Sequence, residues 1–84
     1  MKSNKAFQKT LIGLGVQLAE LRKKKGYVTI KEFAQRYDLP EIQYWRIEKG
    51  KANITLKSLV KILSIHKLTL QEFFFMIPVD ERTV

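Results

Sequence analysis

Glu41, Ile42, Trp45, Arg46 and Lys49 fall on one projecting face of a short helical stretch, with Gln43 at its edge. Residues of these types at this spacing could contact a nucleic-acid duplex. An arginine donates to base or phosphate acceptors, and a glutamate accepts from cytosine N4 while repelling phosphate. An indole can pack on a thymine methyl, on a sugar, or against a protein. A plainer reading stands beside each of these. Arg46 could pair with a neighbouring acid, and Ile42 with Trp45 could form an apolar patch for a partner protein.

The stretch TIKEFAQRYDLPEIQYWRIEKG (29–50) must position that face. It reads as two short helices joined by a tight turn. Thr29-Ile30-Lys31-Glu32 forms a capping box that opens the first of them, with Phe33, Ala34 and Tyr37 on its buried face. Asp38 stands at the turn, where a short polar residue tolerates the left-handed conformation. Pro40 suits the first turn of the second helix, because its missing donor would be unpaired there. Tyr44 and Ile47 point inward with Leu39, and Gly50 ends the helix. Small Ala34 allows the second helix to cross closely, so that one helix braces while the next projects.

Three further helices are expected around this pair. The first runs from about Ala6 to Lys25, with Phe7, Leu11, Leu14, Leu18 and Leu21 as its core stripe. Ile12, Val16 and Ala19 form a weaker stripe, and Gly15 permits close packing by a neighbouring helix. Lys23, Lys24 and Lys25 suit the helix C-terminus, with Gly26 as the stop. A fourth helix, about Leu56–His66, follows the plausible cap Thr55 and buries Leu56, Leu59, Ile62 and Leu63. The fifth opens with a second capping box, Thr69-Leu70-Gln71-Glu72, and runs to Pro78. Phe73, Phe74 and Phe75 span roughly 200° of that helix at about 100° per residue, so they cannot all face one core. Phe75, with Met76, is therefore expected outside it, as a dimer interface.

Composition bounds the function. The chain has 84 residues, 16 basic against eight acidic, and a net charge of +8. It is long enough for one domain, 1–84, with about 1–5 and 79–84 as loose tails. Its basic balance suits a polyanion. With no cysteine there is no disulfide or thiolate zinc site, and the single histidine, His66, makes no metal cluster. No Gly-rich phosphate loop and no nucleophile with a base is visible, which excludes an enzyme reading and implies no cofactor. The apolar run Leu11–Val16 is too short and too glycine-broken for a signal or membrane segment. A cytoplasmic protein of bacterial or phage type, without a small-molecule ligand, is expected.

The strings LGVQLAELRKKKG, TIKEFA, YWRIEKGKANITLKSLVKIL and LTLQEFF resemble the phage-repressor/Cro-like (XRE-type) helix-turn-helix family over about Leu14–Phe74. The RIEKGK-N-T-L-L string is the most specific part. The resemblance implies an all-α, lambda-repressor-like fold of five helices, with helix three in the major groove and helix two across the backbone. It places base contacts on Glu41, Ile42, Trp45 and Arg46. It places phosphate contacts on Lys49, Lys51 and Asn53, with Gln43 at the edge. The family often has glutamine where Ile30 stands, so Lys31 is expected to take over that backbone contact. The resemblance also implies a structural ion pair between Arg22 and Glu48. Asp38 replaces a usual turn glycine, Glu41 a usual amide, and Trp45 a usual small or polar residue.

The expected function is a sequence-specific transcriptional regulator on double-stranded DNA. Repression through a palindromic operator bound by a homodimer is its default form. An antitoxin or a restriction-modification controller fits equally. The second reading is a protein-interaction module that keeps the fold but has lost DNA reading.

Overall fold

The computed structural model describes residues 5–77, and these form five α-helices and no strand. They are α1 (Lys5–Lys24), α2 (Ile30–Arg36), α3 (Glu41–Glu48), α4 (Leu56–Ile65) and α5 (Leu70–Met76). Pro78 and nearly all of the two expected tails lie outside the described residues, whereas Lys5 opens α1. No described helix is long and apolar enough to cross a membrane.

Helices of seven to ten residues are marginal alone, so their ends matter. Three threonines start them. The Oγ1 atoms of Thr29, Thr55 and Thr69 each accept from the backbone N–H three residues on, all at 3.1 Å. Around Thr69 the box closes, because Glu72 Oε1 accepts from the Thr69 N–H at 2.8 Å. At Thr29 only the threonine half forms; Glu32 makes no return bond. Pro40 sits one position earlier than expected, as the extended N-cap of α3, and offers no side-chain cap.

Four helices stop in the same way. Gly26, Asp38, Gly50 and Lys67 all adopt positive φ just after a helix. The next residue's N–H then bonds back to a carbonyl five residues earlier: Tyr27 to Arg22, Leu39 to Ala34, Lys51 to Arg46, and Leu68 to Leu63. This pattern satisfies carbonyls that a helix end otherwise leaves open. Asp38 fulfils the turn expected of it, while Lys67 carries no sequence signal for its conformation.

The core is built from Leu14, Leu18, Phe33, Tyr44, Ile47, Leu59, Ile62, Leu63 and Phe73. Phe33 is its hub. Its ring lies 5.1–5.6 Å from the rings of Tyr27, Tyr37, Tyr44 and His66. Three expected core residues lie outside it, Leu11 half-buried and Phe7 and Leu56 exposed. Phe7 is 44% exposed. Leu56 is 64% exposed, because the first side chain of α4 leans back past the core. The weaker stripe of α1 also faces outward at Ile12 and Val16.

Gly15 fixes the crossing of α1 and α3. A Cβ there would stand 2.6 Å from the Ile47 carbonyl oxygen and against that of Glu48. Gly50 meets α1 at its other edge, where a Cβ would lie 2.9 Å from the Ile12 Cα. Gly15→Ala is therefore expected to destabilise the fold by about 1–3 kcal/mol through overpacking. That loss outweighs the helix-propensity gain of about 1 kcal/mol. Urea denaturation checks the sign, and a stabilised variant would show that α1 and α3 are less closely apposed.

His66 ends α4, with its ring stacked on Phe33 at a 9° interplanar angle and its Nε2 buried without a partner. Burial, helped by nearby Lys25, holds its pKa below the ordinary value. The unfolded chain thus binds the proton first, at about pH 6.5. Stability should be full well above that pH and fall as the pH drops through and below it. His66→Phe should flatten this slope in thermal melts across the window; an equal slope would place the titration elsewhere.

Candidate nucleic-acid interface

The α-helical period separates two sets of residues on α3. Tyr44, Ile47 and Glu48 are buried, and Glu41, Ile42, Gln43, Trp45 and Arg46 are exposed, with Lys49 directly after the helix. Ile42, Arg46 and Lys49 occupy the centre of the outer face at spacings of four and three. Trp45 flanks them on the side of Glu41. Gln43 lies on the opposite flank, where it lines a cleft of about 200 Å³ with Leu39, Ser58, Lys61 and Ile62.

The inner face of α3 is held by an ion pair. Arg22 Nε donates to Glu48 Oε2 at 2.9 Å, and Nη2 donates to Oε1 at 3.1 Å. The third nitrogen, Nη1, donates to the carbonyls of Tyr27 and Val28 at 2.8 and 2.7 Å. One buried guanidinium therefore joins α1, the α1–α2 loop and α3. Its hydrogen bonds to Glu48 hold its pKa above the usual arginine value. The Tyr44 hydroxyl is buried beside this pair without a satisfactory hydrogen bond, and burial pushes its pKa well up. The two carbonyl partners could not be anticipated, because any residue supplies a carbonyl.

The outer face has its own restraints. Lys49 Nζ lies 6.0 Å from the centroid of the Trp45 ring, a cation–π distance. Arg46 Nη2 donates to the Lys51 carbonyl at 3.0 Å, and the Lys51 N–H donates to the Arg46 carbonyl at 2.8 Å. The plainer expectation, an acid paired with Arg46, is not what forms. Arg46 instead ties the end of α3 to the loop carrying Lys51 and Asn53, both exposed. At the start of α2, Ile30 packs partly against the core while Lys31 is exposed. The exposed cations Lys31, Lys49 and Lys51 thus belong to the two-helix unit and the loop after it.

A short bracing helix, a tight turn and a second helix with a solvent-facing outer side define a helix-turn-helix protein, and its basic margin defines a DNA-binding one. A family model described as helix-turn-helix matches residues 18–73, and the chain belongs to that family. The chain is also similar to Control protein C.MunI of Mycoplasma sp, with 40% identity over 63 residues, covering 75% of this chain and 85% of the relative. No solved structure matches it significantly. The protein is thus an XRE-type DNA-binding transcriptional regulator and not an enzyme.

Removing Arg22 would leave Glu48 buried and unpaired. Arg22→Ala is expected to cost about 3–5 kcal/mol, read from urea midpoints. A loss under about 1 kcal/mol would show that water can replace the guanidinium.

Proposed function

We propose that the protein is a control protein that binds a palindromic operator as a homodimer and represses transcription by occupying it. The observation that carries this reading is the outer face of α3, with Arg46 and Lys49 at its centre and the Lys51 loop tied to its end. In this reading Glu41, Ile42, Trp45 and Arg46 meet base edges. Lys31, Lys49, Lys51 and Asn53 hold the phosphates, with Gln43 at the margin of the groove. Two copies would read half-sites about one helical turn apart, ~10 bp. The Mycoplasma relative is named a control protein, which favours the controller form of this reading over an antitoxin. The site of action is the cytoplasm.

The dimer contact is assigned to Phe75 and Met76. Phe75 is 94% exposed and Phe74 half-exposed, while Phe73 is fully buried. Met76 packs beside Gln17, whose Nε2 lies 3.6 Å from its sulfur, so the patch continues onto α1. An exposed aromatic patch of this kind is a common mark of a protein interface.

Selection of bound sequences from random DNA should return a two-fold symmetric site. Affinity for it should fall with salt at a slope of about −0.9 per phosphate neutralised. Phe75→Glu should convert dimer to monomer in sedimentation and weaken binding to the full site far more than to a half-site. An unselective, salt-insensitive protein would defeat the operator reading, and a dimeric Phe75→Glu variant would defeat the interface assignment alone.

A further inference from the structure

We propose that α3 recognises the C5-methyl group of a pyrimidine in the major groove, with Ile42 and Trp45 as the reading residues. The inference rests on the operator reading above and narrows what the operator must contain.

Ile42 is 77% exposed and Trp45 42% exposed, although the core side of the same helix is already filled by Tyr44 and Ile47. Neither outward side chain is needed to close the fold. Both stand where base edges would lie. The polar donors around them are partly committed, since Arg46 gives one N–H to the Lys51 carbonyl and Lys49 lies over the Trp45 ring. The head is thus more apolar than its net charge implies.

The major groove offers such a surface one kind of partner. Among the groups the base pairs present there, mostly hydrogen-bond donors and acceptors, the C5-methyl of thymine is the one sizeable apolar projection. A cytosine methylated at C5 carries the same group at the same place. Glu41 lies one turn before Trp45 and supplies an acceptor for the neighbouring cytosine N4 amino group. Both sources of the methyl are therefore chemically admissible. Burying one methyl is worth about 0.8 kcal/mol, which is about fourfold in affinity.

The test uses the whole chain and an operator selected from random DNA. Each thymine is replaced in turn by deoxyuridine, which removes only the methyl, and each cytosine by 5-methylcytosine. Binding is measured by fluorescence anisotropy with the wild type and with Ile42→Ser and Trp45→Ser, whose folding is checked by circular dichroism. At one or two positions per half-site, deoxyuridine should weaken binding about fourfold, or 5-methylcytosine should strengthen it about as much. The first result identifies thymine as the source and the second methylated cytosine. In at least one serine variant that discrimination should vanish. If every substitution is neutral on a good, salt-sensitive operator, the proposal fails while the regulator reading stands, and the apolar pair then belongs to a protein contact. If discrimination persists in both variants, other residues read the methyl and the assignment is overturned. If no sequence can be selected, the operator reading falls and takes the proposal with it.

Discussion

The orientation of α3 depends on one buried contact with α1. Arg22 and Glu48 pair there in a bidentate arrangement, and about two helical turns earlier on α1 Gly15 lets the two helices touch. The two features work together. An ion pair inside a protein gives up much of its attraction to desolvation, so its net contribution to stability is small. Its geometric demand is strict, because either charge left alone would be heavily penalised. Glu48 is the last residue of α3, so satisfying its carboxylate fixes the axial position and rotation of that helix. The same guanidinium binds two carbonyls of the α1–α2 loop and thereby sets where α2 begins. A surface that must meet base edges within hydrogen-bonding tolerance requires positioning of this kind more than it requires added stability.

The remaining helices depend on their ends. An isolated helix of seven or eight residues does not persist in water. Here the threonine caps start three helices, and left-handed residues close four. Each closure also turns the chain sharply, which keeps the connections short and brings the next helix back onto the Phe33 cluster. The closure after α3 has an added consequence. Its Arg46–Lys51 bonds make the end of the helix and the following loop one rigid piece. Charges on the loop therefore move with the residues on the helix face.

Much of this was legible in the sequence, and for identifiable reasons. Thr29, Thr55 and Thr69 announce helix starts because a hydroxyl at the cap answers a local need of the backbone. Gly50 and Asp38 announce stops for the same kind of reason. The burial of Phe73 with the exposure of Phe75 follows from helical period alone. What the sequence did not show depends on three-dimensional surroundings. Phe7 and Leu56 have the right spacing, yet both side chains remain exposed. Lys67 adopts a left-handed conformation with no glycine to mark it. The stacking of His66 on Phe33 joins residues from distant segments. At the interface, the outward set on α3 was readable from periodicity, whereas the tie from Arg46 to the Lys51 carbonyl was not, because a carbonyl leaves no residue-type signal.

The separation of faces on α3 also bears on how affinity and selectivity are divided. In the proposed reading the lysines lie beside the phosphates and attract any duplex, and that attraction is screened by salt. It fixes register without carrying sequence information. In the proposed reading selectivity rests on Glu41, Ile42, Trp45 and Arg46, of which only Arg46 is a familiar base reader. At that place Glu41 would oppose the general attraction, weakening binding wherever no donor faces it and costing least where a cytosine amino group does. An acid in a basic interface therefore acts mainly against wrong sequences. Ile42 and Trp45 would act similarly, since an apolar side chain placed against an unmatched polar base edge desolvates it without return. Because Glu48, Gly15 and the core hold α3 from its other side, these outer residues can differ without disturbing the fold. The frame and the proposed reading surface are thus separable, since they occupy opposite faces of a single helix.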